Sequence, residues 1–220
     1  MGGKRGLNYF LLRNKMKILN LYAGIGGNRK LWGDEHEVTA IENNKSIAKI
    51  YQDFFPNDKV IVTDAHKFLL EHYKEFDFIW SSPPCPTHSR VRAMAVKNEC
   101  YDAKFPDMKL YEEILFLKHF FKGKWVVENV ISFYKPLIKP VKLNRHYFWS
   151  NFLITIIETK YGGDIKKGHA KELQEIKGVN IDKYKLEGRR RDSVIRSYFD
   201  PKIGLHILKC ASSEKQNTLL

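Results

Sequence analysis

The sequence has few cysteines, and none of them lies close to another. Cys85, Cys100 and Cys210 are the three among 220 residues, with no C-x-x-C pair. This argues against a disulfide framework and a zinc site, and it favours a reducing compartment. The eight histidines are scattered and lack the i, i+4 pairing of a helical metal site. We therefore expect no bound metal.

Long hydrophobic runs are also absent. No window approaches the roughly 18 apolar residues that a membrane-spanning helix needs. The first residues, MGGKRGLNYFLLRNK, lack the charged, apolar and small-residue order of a secretory signal. We expect a soluble protein without a membrane partner, in the cytoplasm. Met16, before KILNLYAG, would also make a natural start, so residues 1–15 are predicted to be an extension.

Acidic residues are outnumbered by basic ones. There are 38 Lys and Arg against 25 Asp and Glu, which gives a formal net charge of +13. Such an excess favours polyanionic partners, because each phosphate contact releases condensed counterions. The alternative is a solvated basic face that maintains solubility. The net charge alone does not favour either of these two interpretations.

Short apolar runs alternate with helical patterns along the first two thirds of the chain. The predicted strands are KILNLY, EVTAIE, KVIVTD, FDFIW and WVVENV. The predicted helices are RKLWGDEH, KSIAKIYQDFF, HKFLLEHYKEF and DMKLYEEILFLKHFF. This alternation predicts an α/β fold with a mostly parallel central sheet and helices on both faces. Residues 16–142 form the predicted main domain.

The pattern changes from about residue 143 onward. HYFWSNFLITIIE predicts one long strand or a hairpin arm. Residues 160–188 are polar, rich in Lys and Gly and poor in core material, which predicts a small surface insertion. RRRDSVIRSYFDPKIGLHIL predicts a helix that ends before Pro201, and residues 210–220 are predicted to fray.

A glycine-rich turn follows the first predicted strand. LYAGIGG places Gly24, Gly26 and Gly27 where the backbone must turn sharply and where it can approach a ligand closely. A plain tight turn is an equally good interpretation of the glycines alone. Arg29 stands where the third glycine of the G-x-G-x-x-G fingerprint would fall. An adenosine cofactor without a pyrophosphate would explain that departure.

Two acids follow the next two strands. Glu42 lies about 20 residues after the turn, where a carboxylate accepts hydrogen bonds from ribose hydroxyls, and Asp64 ends the third strand. The alternative is helix capping by Asp64 and by Glu42, Asn43 or Asn44. Taken jointly, the spacing favours an adenosine-containing cofactor at the carboxyl edge of the sheet.

A cysteine flanked by prolines follows the fourth strand. In SSPPCPTHSR the prolines fix φ and remove amide donors, so Cys85 lies on a stiff segment outside any helix or sheet ladder. A buried structural cysteine is the alternative. Glu128 and Asn129 end the fifth strand at the same predicted edge. An acid on an apolar strand needs a partner or a task.

Five ordered motifs now carry a family resemblance. LYAGIGG, IENN, TDAH, SPPCP and ENV, over residues 18–130, resemble the motifs of cytosine-5 DNA methyltransferases. The resemblance implies a Rossmann-like fold that binds S-adenosylmethionine and releases S-adenosylhomocysteine. In that fold Tyr22 would lie against the adenine, Glu42 would hold the ribose and Asp64 would bind the adenine amine. The implied cofactor-binding residues are Tyr22, Ala23, Gly24, Gly26, Gly27, Glu42, Asn43, Asp64, Ala65 and Pro83.

The resemblance also implies the chemistry. The Cys85 thiolate would add to carbon 6 of a flipped cytosine in double-stranded DNA, and carbon 5 would then take the methyl group. Glu128 would contact ring nitrogen 3 and the exocyclic amine, and Asn129 would shape the loop around Cys85. The family's Q-x-R-x-R strand supplies an arginine to the site. In LNRHYFWSNF the best counterpart is Arg145.

The remaining predicted contacts are with DNA. Ser89, Arg90 and Arg92 follow Cys85 and would contact phosphates or the pocket, with a solvated loop as the alternative. The three consecutive arginines could contact the phosphates of the DNA backbone; they are Arg189, Arg190 and Arg191. Residues 143–209 are the predicted short target-recognition region with a returning helix. The family's last motif, a helix that covers the methionyl end of the cofactor, is not visible before residue 220.

The leading prediction is therefore a DNA cytosine-5 methyltransferase, in a bacterial, archaeal or virus-infected host cell. An RNA cytosine-5 methyltransferase of related sequence is one alternative. A regulatory DNA-binding subunit that has lost turnover is the other. We expect a monomer, and a restriction endonuclease or helper subunit is a further candidate partner.

Overall fold

The structure, a computed structural model, describes residues 15–157 and 170–213. The predictions made for residues 1–14, for residues 158–169 and for residues 214–220 lie outside this part of the chain. Within the described residues no helix is long and apolar enough to cross a membrane.

In the described part of the chain, a sheet of seven strands forms the centre of the fold. Its strands are β1 (Lys17–Leu21), β2 (Glu37–Ile41), β3 (Lys59–Ile61), β4 (Phe78–Ser81), β5 (Lys124–Val130), β6 (Val141–Leu143) and β7 (His146–Ser150). Their order is β3-β2-β1-β4-β5-β7-β6, with β1 to β5 parallel and β7 antiparallel to both of its neighbours. The predicted mostly parallel sheet is confirmed.

Among the described residues, seven helices connect or cover these strands. They are α1 (Lys45–Phe54), α2 (Ala65–His72), α3 (Arg90–Lys97), α4 (Lys109–Phe120), α5 (Ala170–Lys177), α6 (Arg191–Ser197) and α7 (Pro201–Ala211). Apolar residues of α2 and α4 pack on one face of the sheet, against Leu19 and Ile79. Residues of α7 pack on the other face, against Ile18 and Trp80. Helices therefore lie on both faces, as predicted.

The first predicted helix, RKLWGDEH, is wrong. Only a 3-10 turn forms, at Arg29–Leu31, and Gly33 ends the segment at φ 87°. The Arg29 guanidinium is buried and donates to both carboxylate oxygens of Asp58, at 2.9 and 3.0 Å. Tyr51 donates its hydroxyl hydrogen to the same carboxylate at 2.8 Å. A buried ion pair at the third-glycine position thus holds this segment against α1.

The segment HYFWSNF is the second arm of a hairpin. A two-residue turn joins β6 to β7, and Asn144 adopts φ 54° within it. The alternative of one long strand is therefore wrong. The hairpin places His146 and Phe148 beside the end of β5, in the register Val130↔His146 and Glu128↔Phe148.

The described part of the predicted surface insertion contributes to the core, contrary to expectation. Leu173 and Ile181 are fully buried and pack with Ile47 of α1 and with Ile25 of the glycine turn. The polar composition hid these apolar residues because they are few and widely spaced. The segment therefore closes one side of the domain.

The helix predicted to end before Pro201 is α6, which ends at Ser197, and a second helix that the pattern did not predict begins at Pro201. Proline is tolerated there because the first helical residue needs no amide donor, and Asp200 caps the helix by accepting from the Lys202 amide at 2.9 Å. Cys210 and Ala211 end α7 and are buried, so the predicted fraying from residue 210 is wrong for these two. The helix packs against the 3-10 turn after the glycines, where a Cβ on Gly204 would lie 2.4 Å from the Asn28 carbonyl oxygen.

Candidate active site

The glycine turn leaves β1 in a left-handed conformation. Tyr22 has φ 56° and Gly24 has φ 56°, and the Ala23 amide donates to the Ile41 carbonyl at 3.0 Å. A Cβ on Gly24 would meet nothing within 4 Å, whereas one on Gly27 would lie 2.5 Å from backbone atoms of Phe199. Gly27 therefore serves the protein's own packing. Gly24 borders open space at the sheet edge.

Glu42 ties the end of β2 to this turn. One carboxylate oxygen accepts from the Gly24 amide at 3.1 Å, and the other accepts from the Asn44 amide at 2.9 Å. The side chain is 9% exposed, while Asn43 is exposed. The helix cap of α1 is Asn44, which accepts from the Ile47 amide at 3.1 Å. Glu42 itself caps no helix.

Asp64 is the N-cap of α2. Its Oδ1 accepts from the Lys67 amide at 2.8 Å, so the capping alternative describes one of its two oxygens. Within the described residues Oδ2 has no hydrogen-bond partner, and Ala65 beside it is buried. Asp64 therefore keeps an acceptor at the carboxyl edge of the sheet.

A buried acid that the sequence interpretation missed lies behind Tyr22. Glu113 of α4 is fully buried and accepts from the Tyr22 hydroxyl at 2.6 Å and from the Ser81 hydroxyl at 2.5 Å. His66 Nδ1 lies 3.1 Å from the same carboxylate, and this hydrogen bond raises the pKa of His66. Burial, followed by the Glu113 charge, raises the pKa of Tyr22 far above its ordinary value. The detectable signal was an acid on the apolar face LYEEILFL.

Replacing Tyr22 by phenylalanine should destabilise the fold and loosen the glycine turn. The Glu113 carboxylate would lose a donor while still buried, which costs about 1–3 kcal/mol. We expect a lower melting temperature and weaker binding of S-adenosylhomocysteine by calorimetry. Tyr101→Phe is the matched control, because Tyr101 is 61% exposed. Equal effects of the two variants would contradict the positioning role of Glu113.

The segment after β4 is held rigidly around Cys85. The Cys85 carbonyl accepts from the amides of His88 and Ser89 at 3.0 and 3.1 Å, which closes a tight turn. Asn129 donates its amide hydrogen to the Pro83 carbonyl at 3.0 Å and so ties the loop to β5. His88 is buried, and its Nδ1 lies 2.6 Å from the Tyr134 hydroxyl. Side chains on both sides therefore fix the position of the thiol.

Glu128 influences the ionisation of the Cys85 thiol. Burial raises the pKa of the Glu128 carboxyl to about 7. Burial and then the Glu128 charge raise the pKa of the Cys85 thiol to about 11. The strands β4 and β5 are adjacent, with Ser81 paired to Val127, so both groups lie at the same sheet edge. A thiol and a proton donor or acceptor thus lie close together at this sheet edge.

The basic side chain that contacts Glu128 is His146. Its Nε2 lies 3.6 Å from Glu128 Oε1. Arg145, the residue singled out from the sequence, is exposed in the turn between β6 and β7. Arg145 still acts on the site electrostatically, because its charge contributes to lowering the pKa of His146. The sequence pointed to Arg145, whereas the residue that contacts Glu128 is its neighbour His146.

The predicted DNA-contacting residues after Cys85 begin α3. Ser89 caps the helix by accepting from the Val91 amide at 3.2 Å. Arg90 is exposed and donates from Nε to the Ser132 carbonyl at 3.1 Å. Arg92 donates to the Asp102 carbonyl at 3.3 Å, and its guanidinium lies 5.2 Å from the centre of the Tyr101 ring. All three lie on the segment that follows the thiol.

The three consecutive arginines before α6 differ in their surroundings. Arg189 is exposed, and Arg190 pairs with Asp192 at 3.2 Å while its side chain stays 85% exposed. The Arg191 guanidinium donates to the carbonyls of Ile181 and Tyr184. Arg191 thus fastens the segment after α5, and the phosphate-contact hypothesis depends on Arg189 and Arg190.

The described residues form no cluster of metal ligands. Among residues 15–157 and 170–213, no group of three or more His, Cys, Asp or Glu side chains could hold a metal ion. The three cysteines are free thiols.

Solved structures that align with part of this chain include several methyltransferases. A hypothetical protein of Thermus thermophilus aligns with a TM-score of 0.43 and 15% identity, covering 68% of this chain and 89% of its own. A SAM-dependent methyltransferase from Agrobacterium tumefaciens gives 0.40 and 15%, covering 58% and 42%. A DNMT2 variant of Spodoptera frugiperda gives 0.37 and 24%, covering 52% and 35%. The chain thus spans less than half of the last two proteins.

Comparison with curated proteins gave no match. The family model for the C-5 cytosine-specific DNA methylase, in contrast, matches residues 16–137, more than half of the chain. That range contains β1 to β5, the glycine turn, the Cys85 loop and Glu128. The chain belongs to the C-5 cytosine-specific DNA methylase family.

Proposed function

We propose that this protein transfers a methyl group from S-adenosylmethionine to carbon 5 of a flipped cytosine in double-stranded DNA, through a covalent Cys85 adduct. The observation that carries the proposal is the position of Cys85 and Glu128 at adjacent strand ends, where burial and then the Glu128 charge raise the pKa of the Cys85 thiol. Membership of the family supports the same chemistry.

The sheet edge fits the cofactor. Gly24 borders open space, and each Glu42 oxygen accepts one amide hydrogen and keeps a second lone pair for a ribose hydroxyl. Asp64 Oδ2 is available to an adenine amine, and Tyr22 is held in place by Glu113. When bound there, S-adenosylmethionine supplies an electrophilic methyl group.

The protein's own residues perform the remaining steps. Carbon 5 of cytosine is a poor nucleophile, and attack of the Cys85 sulfur on carbon 6 makes it an enamine carbon. The S–H bond breaks as the S–C6 bond forms, and Glu128 places a proton on ring nitrogen 3 as negative charge develops. After methylation, loss of the carbon 5 proton expels the thiolate. Nitrogen 3 gives its proton back to Glu128, which returns it to the Cys85 sulfur, and the aromatic ring is restored.

The resting thiol is protonated, which is compatible with this mechanism. The pKa of about 11 for Cys85 applies while Glu128 can carry a charge. If Glu128 accepts the thiol proton and passes it to nitrogen 3, the charge that opposes ionisation disappears during the attack. The Cys85 thiol therefore loses its proton only when a cytosine is bound and can take that proton from Glu128.

Trapping with 5-fluorocytosine tests the proposal directly. Fluorine at carbon 5 cannot leave as a proton does, so the adduct should persist. We expect duplex DNA containing 5-fluorocytosine to form a denaturation-resistant complex with the protein only when S-adenosylmethionine is present. Mass spectrometry should place the nucleotide on Cys85.

The alternatives give different patterns in the same experiment. Trapping of a 5-fluorocytosine tRNA but not of the duplex would favour an RNA methyltransferase. DNA binding without any adduct at saturating cofactor would favour a regulatory subunit. An adduct on Cys100 would contradict the assignment of the nucleophile.

A further inference from the structure

The imidazole of His146 lies beside Glu128 because of the strand register. Val130 pairs with His146 and Glu128 pairs with Phe148, so all four side chains lie on one face of the sheet. His146 is the diagonal neighbour of Glu128, with Nε2 3.6 Å from Oε1. The His146 side chain is 27% exposed, whereas that of Glu128 is 10% exposed. The ring thus lies between the buried acid and solvent.

Packing alone does not account for a histidine at this position. Its ring contacts Phe199 at a centroid distance of 5.1 Å and Phe148 at 6.4 Å. A phenyl ring would make the same contacts and would bring no polar atom. His146 Nδ1 is instead buried without a hydrogen-bond partner among the described residues. An unpaired buried nitrogen is costly, so the imidazole needs a reason beyond packing.

Charged and titratable groups of several elements act on the pair or on its neighbours. Glu128 of β5 acts on Cys85 after β4, Arg145 of the β6–β7 turn and Lys177 of α5 act on His146, and Asp200 before α7 acts on Lys177. Burial, together with the Arg145 and Lys177 charges, lowers the pKa of His146 to about 4. The imidazole is therefore neutral at neutral pH, and it can meet Glu128 as a dipole without carrying a charge.

We propose that His146 is a positioning residue for Glu128, whose neutral imidazole directs its Nε2 hydrogen at the Glu128 carboxylate. This inference deepens the proposed cytosine methylation and rests on it. The polar contact orients the carboxylate in the pocket and stabilises its ionised form. Glu128 is then ready to take the proton from the Cys85 sulfur as the S–C6 bond forms.

The proton balance needs no further reactant. The thiol hydrogen passes to Glu128, and Glu128 delivers it to nitrogen 3 of the cytosine, while His146 keeps its own hydrogen throughout. An acid that both accepts and donates a proton works best with a pKa near the operating pH. Burial raises the Glu128 pKa to about 7, and a hydrogen bond from the Ser82 side chain opposes a further rise. We expect the Nε2 hydrogen of His146 to act in the same direction as Ser82.

A pair of variants separates the polar contact from packing. His146→Phe keeps the ring contacts and removes the donor, and His146→Gln keeps a donor at similar reach. The Glu128 carboxyl is followed by carbon-13 NMR titration of the free protein, assigned with Glu128→Gln. We expect the titration midpoint to rise by about one pH unit, a tenfold weaker acid, in His146→Phe and to stay near the wild-type value in His146→Gln. His146→Leu replaces His146→Phe if the phenyl variant does not fold.

The corresponding kinetic measurement is the pH profile of the methylation rate, in which the rate falls on the acid side as Glu128 becomes protonated. We expect this fall to move to higher pH by the same amount in His146→Phe, with the KM for DNA unchanged, and to be restored in His146→Gln. An unmoved NMR midpoint in His146→Phe would overturn the inference whatever the activity. If the midpoint moves but the wild-type protein methylates no cytosine, the inference about the pair stands and only the proposed function fails.

Discussion

Cys85→Ser should abolish methyl transfer while leaving the fold intact. A serine hydroxyl at this position is a far weaker nucleophile than a thiolate, and loss of a covalent nucleophile lowers turnover by at least about 1,000-fold. Cys85 lies on a loop held by its own carbonyl and by Asn129, not by its sulfur, so the melting temperature should change little. Tritium transfer from labelled S-adenosylmethionine to duplex DNA measures the loss.

Cys100→Ser is the matched control for this prediction. Cys100 is a free, exposed cysteine on the segment after α3, and its replacement should leave the rate unchanged. Binding of S-adenosylhomocysteine should be the same in both variants, because neither sulfur lies in the glycine turn. Substantial methyl transfer by Cys85→Ser would exclude the covalent route through this residue.

The strand ends that build the site were predictable from the sequence. Buried parallel strands appear as short apolar runs, and each run here stops at a residue with special chemistry, such as Gly24, Glu42, Asp64, Cys85 or Glu128. Parallel strands bring their carboxyl ends to one edge, so spacing along the chain became proximity in space. This reasoning required no knowledge of side-chain contacts.

One missed feature depends on a contact between distant parts of the chain. Arg29 pairs with Asp58 and is buried by it, so the segment after the glycines tightens into a 3-10 turn in place of the predicted helix. Pro201 begins a helix because Asp200 caps it, and this local signal of a capping acid directly before a proline was overlooked in the sequence. The 3-10 turn does not follow from local propensity, because the deciding partner Asp58 competes with the pattern around it.

The candidate site also contains residues whose roles could not be predicted from the sequence. Glu113 looks like one acid of an acidic pair on a helix, and only the fold brings Tyr22 and Ser81 to it. His146 acquires its significance from the register of β7 on β5, which no one-strand pattern specifies. Residues that would act on the substrate directly were visible in motifs, whereas residues that position them were not.

Glu128→Gln should lower methyl transfer and raise thiol reactivity at the same time. A neutral amide cannot accept the Cys85 proton or deliver it to nitrogen 3, and losses of about 100- to 1,000-fold are usual for such groups. The Glu128 charge raises the pKa of Cys85, so its removal should let the thiol ionise at lower pH. Alkylation of Cys85 by iodoacetamide at pH 9, followed by peptide mass spectrometry, should therefore become faster.

The same variant should be more stable than the wild type above neutral pH. The pKa of Glu128 is raised to about 7 in the folded protein, so ionisation opposes folding. Wild-type stability should accordingly fall as pH rises from the unfolded carboxyl value toward 7, and Glu128→Gln should escape this fall. The melting temperatures of the two proteins should diverge in favour of the variant between pH 5 and pH 8.

Glu71→Gln supplies the control, because Glu71 is an exposed acid on α2 with 54% of its side chain accessible. It should alter neither the rate, nor the alkylation, nor the pH dependence of melting. Opposite changes in catalysis and stability at Glu128 alone would mean that the protein accepts a folding penalty to keep a proton acceptor beside its thiol. A parallel fall in rate, thiol reactivity and stability would instead indicate that Glu128 merely supports the packing of β5.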